Sequence, residues 1–246
     1  MSSRKKLSIQ SETPPENLMD HPFYGIPLDD EQRAFAQAIW DPDNDIIFCN
    51  AKAGTGKTTI ATGAANLLCM YGFFDSMIYI MSPYGEKLGY LPGDITEKSS
   101  VYFEPFYQAM VSCNINPYTA VNDESLVNQK NGSGYITCIT DTYLRGSNLN
   151  NCVVIIDEAQ NYTTSQLKKV LTRVGDRAKV IVIGHDLQCD LKKKELSGFV
   201  SYINHFAGQD RCAVCQLTTN HRGWISRWAD ELDERIKGET VNADCN

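Results

Sequence analysis

Residues 45–68 read DIIFCNAKAGTGKTTIATGAANLL, and this stretch sets the architecture around it. An apolar, β-prone segment passes through a Gly-containing loop into a helix-prone segment. Ala51-Lys52-Ala53-Gly54-Thr55-Gly56-Lys57-Thr58 follows the phosphate-loop spacing, with Ala51 in place of the usual first glycine. Gly54 and Gly56 allow backbone angles that turn the loop's amides inward, toward phosphate oxygens. A helix beginning near Lys57 points its positive end at the same place. Lys57 is then placed to reach the β- and γ-phosphates and Thr58 to put its hydroxyl on Mg²⁺, with Ala51 through Thr59 forming the nucleotide-binding set. The plain alternative is a Gly-rich turn between a strand and a helix; Gly-Lys-Thr at that junction argues against it. The Ala51 methyl is tolerable wherever that position does not need positive φ.

Outward from this stretch, strand and helix signals alternate. Short apolar runs at Asp45–Cys49, Met77–Met81, Tyr135–Thr140, Cys152–Ile156, Lys179–Ile183 and Cys212–Leu217 predict strands covered on both faces. Helices are expected at Asp30–Trp40, Lys57–Tyr71, Tyr102–Ser112, Thr164–Val174, Gly198–Phe206 and Ile225–Ile236. This order predicts an α/β fold with a mostly parallel sheet and helices on both faces. Asn122–Gly134 is polar and Gly-containing and reads as an exposed loop or insertion. Residues 1–20 read as a flexible polar tail, 21–238 as one domain and 239–246 as a C-terminal tail.

The chain has 246 residues, of which 42% are hydrophobic, enough for one domain with a real core. Its net charge of −7 does not give the overall basic footprint of a nucleic-acid binder. A local basic groove remains compatible with it, because screening confines each charge to roughly 10 Å. No signal peptide and no run of about 20 apolar residues is found, so no membrane span is expected. With nine scattered cysteines, the reading is a cytoplasmic protein with reduced thiols.

A second site stands in VVIIDEAQN, residues 153–161. An apolar strand ends in Asp157-Glu158, where ligands of open parallel sheets sit. Asp157 is expected to hold Mg²⁺ and Glu158 to orient the attacking water, which favours hydrolysis over transfer to a small molecule. Acidic residues merely capping a strand are the alternative. Gln32, on the helix ahead of the first strand, is a candidate for the adenine edge, against an ordinary surface glutamine. Gln188, in GHDLQ, is a candidate γ-phosphate or water sensor.

Taken together these residues resemble the PhoH family of phosphate-starvation-associated ATPases. The resemblance runs through roughly residues 29–235 and rests on AGTGKTTIA at 53–61, GEKLGYLPGDITEK at 85–98, TYLRGSNL at 142–149, IIDEAQN at 155–161 and LTRVG at 171–175. It implies a RecA-like P-loop NTPase fold related to superfamily 1 helicases, hydrolysis of ATP with Mg²⁺, and a homo-oligomer, with a hexameric ring expected. It also implies a role with RNA or single-stranded nucleic acid. The family's phosphate-loop residues fall on Gly54, Gly56, Lys57 and Thr58, and its carboxylates on Asp157 and Glu158. Two departures stand out. Gly184-His185-Asp186-Leu187-Gln188 replaces the family's Gly-Asp-x-x-Gln, so the carboxylate has moved one place or become histidine. Ser147 replaces a second arginine, leaving Arg145. The residues ahead of the core are mostly polar, so no PIN-type nuclease domain is expected there. Short stand-alone forms of this kind occur in bacteria and phages.

Arginines accelerate ATP hydrolysis by meeting charge on the γ-phosphate. Arg222, following the last strand, is the first choice in cis; Arg227 is a further candidate, and Arg145 or Arg173 could serve a neighbouring subunit. A structural salt bridge is the alternative for each. Tyr84–Asp94, with Lys87 between aromatics, is a candidate single-strand contact or a packed loop. Lys192-Lys193-Lys194 is a candidate backbone contact or a solvated face. Cys212-x-x-Cys215 with His205 and His221 has a weak metal-site look, and cysteines lying in a strand are the better reading. The leading expectation is an ATPase coupled to RNA or single-stranded nucleic acid. A nucleotide-dependent switch on a protein partner is the rival, and a small-molecule kinase is disfavoured by Glu158 and the lack of an acceptor lid.

Overall fold

The computed structural model describes residues 13–20, 22–82, 95–122, 134–141, 144, 148–229 and 232, with the side chains of 95–102 and 195 left undescribed. Six strands form one sheet: β1 (Ile46–Ala51), β2 (Ser76–Met81), β3 (Ile136–Thr140), β4 (Cys152–Asp157), β5 (Ala178–Gly184) and β6 (Cys212–Leu217), in the order β3-β2-β4-β5-β1-β6. Every strand pair is parallel. All six expected strands are present, with ends shifted by at most two residues.

The helices are α1 (Asp30–Trp40), α2 (Lys57–Met70), α3 (Ile95–Ser112), α4 (Pro117–Ala120), α5 (Thr164–Leu171) and α6 (Phe199–Phe206). Side chains alternate across each strand, so each sheet face collects half of them. Ile47, Cys49 and Ala51 of β1, Val153 and Ile155 of β4, and Ile181 and Ile183 of β5 join residues of α1, α2 and α3 in one core. Ile46, Phe48, Val154, Ile156, Val180 and Val182 join Leu167 and Val170 of α5 and Phe199 of α6 in the other. The near-continuous apolar strands follow from this two-sided burial.

Three expected helices differ by more than one residue, and α4 has no counterpart among the expected ones. α3 begins seven residues earlier than Tyr102, carrying Pro105 inside it. α5 stops at Leu171, short of Val174, because residues 172 and 173 form a turn and Val174 makes a β-bridge to Leu149. In place of Ile225–Ile236, helical structure is described at 224–229 and at 232. The loop residues 84–94 and 123–133, Arg145, Ser147 and both expected tails, apart from residues 13–20, lie outside the described residues.

The order of connections opens the functional crevice. From β1 the chain crosses the α2 face to β2, whereas from β5 it crosses the α6 face to β6 on the other side. The carboxyl ends of β1 and β5 therefore flank a switch point, the place where open parallel sheets bind ligands.

Candidate nucleotide site

Ala51 closes β1 and is buried, and it is absent from the described residues with positive φ. A methyl is accommodated there for that reason. The loop turns at Gly54 (φ +75°) and Gly56 (φ +78°). A β-carbon on Gly54 would run into the Asn220 carboxamide and come within 3.1 Å of Arg222 Cδ. The loop is tied down on three sides. The Lys52 N–H donates to the Leu217 carbonyl at 3.1 Å. The Thr55 hydroxyl closes the loop on the Lys52 carbonyl at 2.9 Å. Gln32 Nε2 donates to the Thr55 carbonyl at 2.9 Å. Gln32 also completes a capping box with Asp29: its backbone N–H donates to Asp29 Oδ1, and its Oε1 accepts the Asp29 N–H. One side chain thus starts α1 and braces the phosphate loop.

β5 separates β1 from β4, so the phosphate loop and the carboxylate pair stand two strand spacings apart, about 10 Å. The first turn of α2 bridges the gap. The Thr58 hydroxyl donates to Asp157 Oδ2 at 2.9 Å, and Lys57 Nζ lies 3.7 Å from Glu158 Oε1. Asp157 is buried and also accepts from the Tyr79 hydroxyl at 2.8 Å and from the Glu158 N–H at 2.7 Å. Burial, then the neighbouring Glu158 charge, holds the Asp157 carboxyl above the usual range, partly offset by Lys57 and by these donors. Burial and then the Asp157 charge push the Tyr79 phenol well above its usual value, so it stays a donor. Its ring is stacked on Phe106 of α3 with centroids 4.0 Å apart.

Glu158 sits in the left-handed region, φ +51° and ψ +42°. A non-glycine residue there is uncommon and needs support from its surroundings. Gln160 supplies part of it. Fully buried, it donates from Nε2 to Glu158 Oε2 at 2.6 Å and to the Gln188 carbonyl at 3.2 Å, while its Oε1 accepts the His185 N–H at 2.9 Å. Gly184 makes room: a β-carbon there would stand 2.8 Å from Gln160 Oε1. Sequence reasoning misses Gln160 as a site residue although DEAQ carries it, because its partners lie 25 and 28 residues away, beyond another strand. Tyr79 leaves no signal in sequence; a strand tyrosine reads as core.

The remaining candidates are placed as follows. Gln188 is exposed and reaches the network through its backbone carbonyl. At the departure from the family pattern, His185 is buried and Asp186 is exposed. The buried His185 Nδ1 has no hydrogen-bond partner among the described residues. After β6 the chain folds back over the loop: the His221 N–H donates to the Gly54 carbonyl at 2.9 Å, and His221 Nε2 lies 2.8 Å from Asp29 Oδ2. Arg222 faces the same cavity, of about 760 Å³, lined by Phe23, Leu28, Gln32, residues 54–60, and α3. That is the size of an ordinary small-molecule site. Arg173 lies near Leu149, at the opposite, amino end of β4, and Arg227 is exposed. Lys192, Lys193 and Lys194 are exposed. Cys212 and Cys215 point to opposite faces of β6, and no group of three or more metal-ligating side chains occurs among the described residues. No described helix is long and apolar enough to cross a membrane.

A parallel sheet with a phosphate loop on one strand and an Asp-Glu pair on the next but one defines a RecA-like P-loop NTPase fold. Among solved structures, the large terminase of a thermophilic bacteriophage in complex with ADP aligns over 78% of this chain and 46% of its own, with a TM-score of 0.52 and 15% identity, a likeness of fold. The chain belongs to the PhoH-like protein family, whose model matches residues 26–227. It is 38% identical to a PhoH-like protein of Synechocystis over 188 residues, covering 76% of this chain and 54% of that one. It is 34% identical to Protein PhoH of Escherichia coli K12 over 192 residues, covering 70% and 51%. The chain thus spans about half the length of the curated relatives it matches.

Proposed function

We propose that the chain hydrolyses ATP with Mg²⁺ at the phosphate loop and the Asp157-Glu158 pair. The observation that carries this is the Thr58–Asp157 hydrogen bond of 2.9 Å, which joins the two motifs across β5. A hydroxyl and a carboxylate, both hard oxygen donors, suit Mg²⁺, which takes one or two protein groups and completes its shell with phosphates and water. When bound, Mg²⁺ supplies charge neutralisation at the β- and γ-oxygens. The amides of residues 53–58 cradle phosphate, and Lys57 moves from Glu158 to the β- and γ-oxygens. That move frees Glu158 to accept a proton from water and orient it for in-line attack on the γ-phosphorus. Arg222, over Gly54, meets the charge that develops on the departing phosphoryl group. Gln32 has one amide hydrogen left for a purine ring nitrogen. The ADP complex of the phage terminase supports a nucleotide as the ligand of this fold.

The finer reading is coupling to RNA or single-stranded DNA in a homo-oligomer, a hexamer by family resemblance. One RecA-like core leaves the cavity open on one side, where a neighbour could close it. The rival reading is a switch on a protein partner. Glu158→Gln is expected to bind Mg-ATP and hydrolyse it at least about a hundredfold more slowly. Stimulation of the wild type by RNA supports coupling to a polynucleotide. Turnover indifferent to any polynucleotide supports the switch, and an unimpaired Glu158→Gln contradicts the assignment.

A further inference from the structure

The cavity above the phosphate loop has a wall that phosphate chemistry does not use. Pro105, Gln108, Ala109 and Ser112 of α3 line it. Positions i, i+3, i+4 and i+7 of a helix share one face. Opposite stand Phe23, Ile26, Pro27 and Leu28. The two walls converge over α2. A β-carbon on Gly63 would lie 2.6 Å from Phe23 Cζ and 3.0 Å from Cys113 Sγ, and the Cys113 thiol donates to the Thr59 carbonyl at 3.4 Å. The cleft is therefore anchored on the helix that begins at the phosphate loop. Its sides, built of Pro, Ala, Ile and Leu, suit a flat ring.

One ring is told from another by the hydrogen bonds of its edge. Gln32 cannot make that choice. Its Oε1 takes the Asp29 N–H and one amide hydrogen goes to Thr55, leaving a lone donor that any purine can accept. His221 is paired with Asp29, and Arg222 stands over Gly54 at the phosphate end. Gln108 is different. It is exposed to the cleft, and its amide donates one hydrogen to Glu104 Oε1 at 3.2 Å, one turn back. A carbonyl oxygen and a second N–H remain for a ligand. Ser112 Oγ donates back to the Gln108 backbone carbonyl at 3.0 Å, leaving its lone pairs as acceptors. Adenine presents a donating exocyclic amine beside an accepting ring nitrogen, the complement of a carboxamide. The Glu104 carboxylate holds the amide against a flip, so the Gln108 Oε1 stays toward the exocyclic position and repels the O6 acceptor of guanine.

We propose that Gln108 selects adenine over guanine in this site, its carbonyl oxygen taking the exocyclic amine and its amide N–H the neighbouring ring nitrogen. This rests on the nucleotide reading above. The test is titration of the wild type, Gln108→Ala and Gln108→Arg with fluorescent ATP and GTP analogues in Mg²⁺. The wild type is expected to prefer ATP. Gln108→Ala is expected to lose about ten- to a hundredfold of that preference by weakening ATP alone. Gln108→Arg, a donor only, is expected to turn toward GTP. Gln108 is exposed, so both variants should keep the wild-type thermal melt. Equal binding of both nucleotides by the wild type, a preference intact in both variants, or equal weakening of ATP and GTP overturns the assignment and leaves the nucleotide site standing. A wild type that binds neither nucleotide overturns both.

Discussion

Replacing Gln160 by Met keeps the side-chain volume and removes every hydrogen bond this buried group makes. The His185 N–H then loses its acceptor, at a cost of about 1–3 kcal/mol for an unsatisfied buried donor. Glu158 loses a charge-assisted bond of 2.6 Å, worth about 1.5–3 kcal/mol. The swap of shape costs less than about 1.5 kcal/mol. These effects overlap, so a loss of about 2–5 kcal/mol is expected, or about 5–15 °C in Tm for a domain of this size. The catalytic effect is separable from the thermal one. Without Gln160 the left-handed Glu158 is released from β5, and a misplacement of about 1 Å costs up to about a hundredfold in rate. Phosphate release at saturating Mg-ATP, measured well below the lowered Tm, should show kcat down about 10- to 100-fold with KM little changed. Because the Lys57 and Thr55 contacts are untouched, ATP binding should persist. A Gln160→Met enzyme with wild-type kcat would refute the tether, whatever its stability.

Further outcomes follow from single contacts. Gly54→Ala should destabilise more than Gly56→Ala. Both carry positive φ, costing about 1–2 kcal/mol, but only Gly54 faces Asn220 and Arg222, whereas the Gly56 β-carbon meets Gln32 Nε2 at 3.4 Å. Urea midpoints of the two variants check the order. Asp157→Asn should raise the melting temperature of the metal-free protein, by about 2–4 °C per kcal/mol, while abolishing Mg²⁺-dependent turnover. The buried charge is costly there, and the Thr58 and Tyr79 hydroxyls can reverse to accept from an amide. Unchanged turnover would remove Asp157 from the site. Alkaline pH should unfold the protein steeply. Burial pushes Cys69, Cys113 and Cys138 to about 12 and Cys152 and Cys215 to about 11, with Cys49 raised as well. Above pH 9 the unfolded chain sheds these protons and the folded one keeps them, so stability falls. Lys179, lowered to about 8, opposes this between about pH 8 and 10.5, since its folded form sheds its proton first. The raised thiols outnumber the one lowered lysine, so the folded form holds the more protons and stability falls with rising pH. Urea midpoints that stay flat from pH 9 to 10 under reducing conditions would contradict these burials.

The strands and the phosphate loop are legible in the sequence because local chemistry dictates them. Continuous apolar runs mean two-sided burial, and Gly54 and Gly56 satisfy a backbone requirement that no distant residue alters. Ala51 is legible for the same reason: its φ depends on β1 alone. What escapes depends on contacts far apart in sequence. Tyr79 acquires its role from Asp157, and Gln160 from His185. The cleft wall on α3 needs helix packing to bring Pro105 and Gln108 opposite Phe23. α3 itself begins earlier than expected because Ile95–Val101 carries no strong periodic pattern. Gln32 is legible as a candidate for the base, but its bracing of Thr55, 23 residues away, is not.

Phosphate release from Mg-ATP by the wild type and by Lys57→Ala, each with and without single-stranded RNA and DNA, tests the central claim most directly. Lys57 lies between the loop and Glu158, so its loss should leave the melt within a few degrees and bring turnover to background in every condition. RNA should raise the wild-type rate alone. A Lys57→Ala protein that releases phosphate at the wild-type rate would place the chemistry elsewhere.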